Sequence, residues 1–155
     1  MQKKEQLTNT ADKVQDLPSA LIIDANILFS FFKKDSERRQ IVEELLNHGI
    51  KLVSPYFILD ELRAGRDKIV KFSKISIGEF ELTIRLIEDE ISLVPEDDFK
   101  EFFSKARELA PHEEDIPYFA LALAFNSSLW SDEKAFRNQS EVKVLSTSKL
   151  SGLMR

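Results

Sequence analysis

The sequence predicts an α/β protein built on a parallel sheet, and three observations carry that prediction. Short apolar runs bounded by turn-forming residues recur at Leu21–Ile23, Ile50–Ser54, Ile91–Val94 and Ser128–Ser131, the pattern of buried strands. The first run, the helical stretches after it and the second run together make a βαβ-type unit. Tyr118–Phe125 is apolar nearly all round, which marks a helix buried at the centre of a domain.

With 155 residues the chain is long enough for one domain that buries roughly 68–70% of its unfolded surface. No cysteine is present, which excludes disulfides, thiolate zinc sites and cysteine nucleophiles and leaves oxygen and imidazole ligands. No apolar stretch reaches membrane-spanning length, and the polar first residues lack a signal-peptide core, so a soluble, cytoplasmic protein is expected. The net charge of −5 lacks the basic footprint of a dedicated duplex-DNA binder but leaves room for a polyanion approached through a cation.

In chain order, residues 1–18 form a polar arm without periodicity, and residues 19–155 form the folded domain. The first strand ends on Asp24, and a short helix resumes at Ile27 and runs to about Phe32. Asp24 therefore stands at a strand-to-helix junction, where open parallel sheets bind ligands. The same position suits an N-cap supplied by Asp24 or Asn26. Ser36 caps a second helix that stops at His48-Gly49, and the second strand closes at Pro55, which opens a long helix to about Phe72. On a wheel of about 100° per residue with Phe57 at zero, Glu61 falls at about 40°, inside the apolar arc of Ile58, Leu62 and Ile69. Asp60 falls on the polar side. A carboxylate in a buried stripe calls for a partner, a proton or a cation, unless its long side chain snorkels out at the margin.

Ile77–Asp89 is amphipathic through Phe80, Ile84 and Ile87, and Asp97–Leu109 is helical with Phe99, Phe102, Phe103 and Ala106 as a packing face. Asp115, preceded by Glu113 and Glu114, heads the buried helix, with Pro117 tolerated in its first turn. An N-cap and a ligand role are compatible there. His112 reads as a surface residue. The fourth strand ends in Asp132-Glu133, repeating the strand-then-acid pattern of Asp24. Glu141–Ser146 is an edge strand, and Thr147–Leu153 closes the chain as a helical turn.

Asp24, Glu61, Asp115 and Asp132/Glu133 thus fall where one end of a sheet would gather them. Like charges so placed make sense around a hard cation, Mg²⁺ or Mn²⁺, which takes oxygen ligands and keeps exchangeable waters. One or two such ions activate water and stabilise the leaving oxygen of a phosphodiester. Ile22-Ile23-Asp24-Ala25-Asn26, the Glu61 helix after the second strand and Asp115 opening an alanine-rich helix resemble the PIN-domain ribonucleases, the family that includes VapC toxins. The resemblance spans about residues 20–150. It implies a three-layer α/β/α sandwich with a central parallel sheet, a Mg²⁺- or Mn²⁺-dependent endoribonuclease, and frequent homodimerisation.

One string departs from the family. Its fourth motif has Thr or Ser, a spacer, then Asp before Lys; here Trp130-Ser131-Asp132-Glu133-Lys134 puts Glu133 at the acid position and Asp132 in the spacer. Both are retained as candidates, Asp132 slightly favoured for its shorter arm. Asn26 and Ser131 are expected to position the ligands. Lys33, Lys34, Arg38 and Arg39, with Arg63, Arg66, Lys68, Lys71 and Lys74, either contact RNA phosphates or form local ion pairs.

A toxin with an antitoxin partner and an RNA-processing nuclease both fit this site. A PIN-like module that binds RNA or protein without cutting is the rival from another class. A receiver domain lacks the paired acids it would need beside Asp24, and a haloacid-dehalogenase-type phosphatase lacks the second aspartate after it.

Overall fold

Five parallel strands lie in the order β3-β2-β1-β4-β5 in the structure, a computed structural model that describes residues 16–154. The strands are β1 (Ala20–Ile23), β2 (Lys51–Pro55), β3 (Ser92–Val94), β4 (Ser128–Trp130) and β5 (Val144–Leu145). The chain runs outward from β1 through β2 to β3, then returns to build β4 and β5 on the other side. The strand order therefore reverses between β1 and β4, which makes that gap the switch point where open α/β sheets form a crevice.

Side chains along β1 alternate between two cores, as the period of a strand requires. Leu21 and Ile23 enter one core with Phe31, Leu45, Ile58, Phe80 and Ile84. Ile22, beside Val53 and Leu129, enters the other with Phe99, Phe119 and Phe136. Two cores with a sheet between them make the expected three layers.

The first core is covered by α1 (Ala25–Phe29), α2 (Glu37–Asn47), α3 (Ile58–Ala64), α4 (Arg66–Ser73) and α5 (Ile77–Glu90). The second is covered by α6 (Phe103–Leu109) and α7 (Ile116–Phe125), while α8 (Thr147–Met154) sends Leu150 into the first. Local chemistry sets several of these ends. The Ser36 hydroxyl accepts from Arg39 N–H at the head of α2, and Ser76 and Glu79 form a reciprocal capping box on α5. Gly49, at φ +76°, supplies the left-handed residue that stops α2. The phenylalanines pack as core: Phe32 stacks on Phe80 at 5.1 Å, and Phe119 meets Phe136 at 5.1 Å.

Several boundaries differ from the sequence reading. Pro55 ends β2 instead of opening a helix, and the long helix expected to Phe72 is two helices, α3 and α4, parted at Gly65. Glycine has the weakest intrinsic hold on helical backbone of any non-proline residue, so the break falls there. Asp97–Leu109 is not one helix: 3-10 turns at Glu96–Asp98 and Lys100–Phe102 precede α6. The edge strand shrinks to Val144–Leu145, because β5 has only β4 beside it. Of the expected arm, residues 1–15 lie outside the described residues, and Leu17 packs partly buried against the first core. No helix among the described residues is long and apolar enough to cross a membrane.

Candidate metal-binding cleft

Parallel register brings the first two site residues level. Ile23 pairs with Trp130, so Asp24 and Ser131, the next residues along β1 and β4, stand side by side at the carboxyl edge of the sheet. Asp24 is 4% exposed, and its Oδ1 accepts from Ile27 N–H at 2.9 Å, so it is the N-cap of α1. Ser131 is also buried; its hydroxyl lowers the Asp24 pKa and accepts from Glu133 N–H at 3.2 Å. That contact draws the backbone of Glu133 toward Asp24.

The third acid is placed by burial. Tyr118–Ala122 of α7 is fully buried, which fixes the start of the helix against the sheet edge. Asp115 ends a 3-10 turn, Glu113–Asp115, and makes no capping hydrogen bond. Its carboxylate is therefore left for the cleft, contrary to the capping role open to it in the sequence. Pro117, in the first turn of α7, has no N–H for such a cap to serve.

Asp24, Glu61, Asp115 and Glu133, with Glu114 and Tyr118, line one cleft of about 180 Å³. Asn26 lines it too and donates from Nδ2 to Glu133 Oε1 at 3.3 Å. Glu61 is exposed at the rim rather than buried in a stripe. The helix begins at Ile58, and Ile58, Leu59 and Leu62 take its buried side, so Glu61 turns outward over the cleft.

Asp132 is turned away. It lines a separate, more open cavity beside Ser36, Arg38 and Thr147. Its carboxylate takes Arg38 Nη2 at 2.8 Å and Nε at 3.1 Å, Thr147 N–H at 2.7 Å, and the Thr147 hydroxyl. Thr147 Oγ1 in turn accepts from Trp130 Nε1 at 3.0 Å. Asp132 thus ties the end of β4 to α2 and to the head of α8, and the preference for Asp132 over Glu133 as the cleft's fourth acid does not match this geometry.

The electrostatics follow the same division. Burial raises the Asp24 pKa, opposed by hydrogen bonds from Ser131 and Ile27 and by the Arg38 charge, and Glu133 raises it further. Asp115 is pushed up to about 6, by burial first and then by Glu133 and Glu114. Although Glu61 is exposed as a residue, partial desolvation of its carboxyl group raises its pKa, and Glu114 raises it further. Burial also acts on Asp132, but hydrogen bonds from Thr147 and Arg38 outweigh it and hold that carboxyl below its ordinary value.

Among the described residues no three Asp, Glu or His side chains converge closely enough to hold a metal directly. The donor set nonetheless fits a hard cation. The cleft offers only oxygen and amide donors, the carboxyls of Asp24, Glu61 and Asp115 have raised pKa values, and Asp115 Oδ2 is buried with no hydrogen-bond partner among the described residues. Mg²⁺ is typically held by one or two carboxylates with waters completing its shell, which such a spread of acids accommodates.

Glu114 and Tyr118 also line the cleft, and the signal in the sequence is their nearness to Asp115: Glu114 adjoins it in the 3-10 turn and Tyr118 follows it by one helical turn. Several of the basic residues form local ion pairs, Lys34 with Glu79, Arg63 with Glu81 and Glu88, and Arg39 with Glu43.

The family model described as PIN domain matches residues 22–152 of this chain. A solved structure, VapBC2 from Rickettsia felis bound to a DNA fragment from their promoter, is similar in fold, with a TM-score of 0.64 at 14% sequence identity. The likeness covers 82% of this chain and 98% of that one. No curated protein matches the sequence.

Proposed function

The chain belongs to the PIN-domain family, whose members are generally nucleases that use divalent metal ions, and from that premise we propose that it is a Mg²⁺- or Mn²⁺-dependent endoribonuclease. The observation that carries the proposal is the meeting, at the β1/β4 switch point, of carboxylates from four separate elements in one cleft. Asp24, Glu61, Asp115 and Glu133 would hold the cation. A bound cation neutralises phosphodiester charge and lowers the pKa of an attacking water.

The chain's own residues then have distinct tasks. Ile27 N–H fixes the Asp24 carboxylate, and the Asn26 amide and the Ser131 hydroxyl fix Glu133. Glu61 and Glu114 stand at the mouth, where like charges repel a bare polyanion and admit one accompanied by a cation. Asp132 is assigned to architecture, with Arg38 and Thr147.

An antitoxin partner is proposed by analogy with the VapBC2 complex, and a homodimer from the family resemblance. The second reading, a weak or inactive RNA- or protein-binding module, is favoured by the longer Glu133 arm and by the absence of a converged trio of acids among the described residues. Purified protein incubated with generic RNA and Mn²⁺ decides between them, run beside Asp24→Asn and Asp115→Asn. Cleavage by the wild type alone supports the nuclease. Equal cleavage by all three sinks the catalytic reading, and cleavage by none favours the binding module.

A further inference from the structure

Tyr118 is 4% exposed, lines the acidic cleft, and its hydroxyl has no hydrogen-bond partner among the described residues. Its ring packs edge-on against Phe57, with centroids 6.2 Å apart, a contact that phenylalanine would make equally well. The hydroxyl is therefore not required for packing, and buried polar groups without partners are uncommon. One helical turn before it stands Asp115 Oδ2, also buried and also without a partner. The two atoms are complementary, since a phenol donates and a carboxylate accepts.

A phenol is protonated at neutral pH, so Tyr118 keeps its donor role. The other donor on the cleft wall with a side-chain N–H, Asn26, is already turned to Glu133. Tyr118 is thus the hydroxyl donor placed among acceptors.

We infer that Tyr118 is a positioning residue of the cleft: its hydroxyl donates to a water or phosphate oxygen that enters with the cation held by Asp115. This rests on the metal-binding reading given above. The hydroxyl makes no hydrogen bond to the described protein atoms, so removing it should cost the metal-free fold little.

The test compares wild type with Tyr118→Phe by thermal unfolding in EDTA and in Mn²⁺, and by calorimetric titration with Mn²⁺. The expected result is an equal or higher Tm for Tyr118→Phe without metal, a smaller Mn²⁺-induced rise in Tm, and Mn²⁺ affinity weakened about 3- to 10-fold, the span of one lost hydrogen bond. A lower metal-free Tm with unchanged Mn²⁺ affinity would show a purely structural hydroxyl and overturn the inference. Equal Tm values and equal affinities overturn it as well. If the wild type itself shows no Mn²⁺ binding, the metal reading fails and Tyr118 falls with it; a wild type that binds beside an indifferent variant refutes Tyr118 alone.

Discussion

Replacing Asp132 by alanine and Glu133 by glutamine separates two adjacent acids that the sequence could not tell apart. Asp132→Ala removes the acceptor of Thr147 N–H at the head of α8, an interaction worth about 1 kcal/mol by analogy with N-cap losses. It also removes the two-pronged contact with Arg38, whose side chain and that of Asp132 are 33% and 30% exposed. Solvent at that exposure reduces the ion pair to about 1 kcal/mol. The Thr147 hydroxyl loses its acceptor while keeping the Trp130 N–H, which adds up to about 1 kcal/mol. The sum is about 2–3 kcal/mol, or a fall in Tm of about 5–10 °C for a chain of this size.

Glu133→Gln should behave in the opposite way. Its amide oxygen can still accept from Asn26, and a like charge beside Asp115 and Asp24 disappears. Stability in EDTA should stay within about 1 kcal/mol of wild type or rise. Mn²⁺ affinity should fall at least about 10-fold, equivalent to about 1.4 kcal/mol. Thermal melts in EDTA and calorimetric titration with Mn²⁺ read both quantities. The assignment would be refuted if Asp132→Ala kept the wild-type Tm and lost Mn²⁺ binding while Glu133→Gln still bound the ion.

Two further outcomes are expected. Asp115, with its pKa raised to about 6 in the folded state, holds a proton that the unfolded chain has released between about pH 4 and 6. Its contribution is therefore present at low pH and lost as pH rises through 6, so Asp115→Asn should gain stability over metal-free wild type between pH 4 and 7; urea unfolding in EDTA that shows a constant difference would remove this account. Gly65→Ala should be tolerated and stabilise by about 0.5 kcal/mol, because φ is −91° and a new Cβ would meet nothing nearer than Glu61 O at 3.5 Å. Loss of stability with no gain in helical circular dichroism would show that the break between α3 and α4 is required by tertiary contacts.

The features legible in the sequence were those set by local chemistry and burial. Leu21–Ile23 followed by Asp24 reads as strand, cap and helix because the apolar run and the acceptor side chain act within a few residues. The continuous apolar surface of Tyr118–Phe125 forces that helix inward and carries Asp115 to the sheet edge. Tertiary structure decided three matters that spacing left open. Glu61 lies within the apolar arc of a helical wheel yet is exposed, because a wheel gives directions around an axis and not what packs at each direction. Asp132 and Glu133 follow the same strand, but Thr147 and Arg38, distant in sequence, claim one and leave the other to the cleft. Tyr118 looked like core and is core by area; only the placement of Asp24, Glu61 and Asp115 around its hydroxyl gives that single polar atom a task. Periodicity encodes which faces are apolar, whereas the partners of a polar atom depend on contacts between segments that no local pattern specifies.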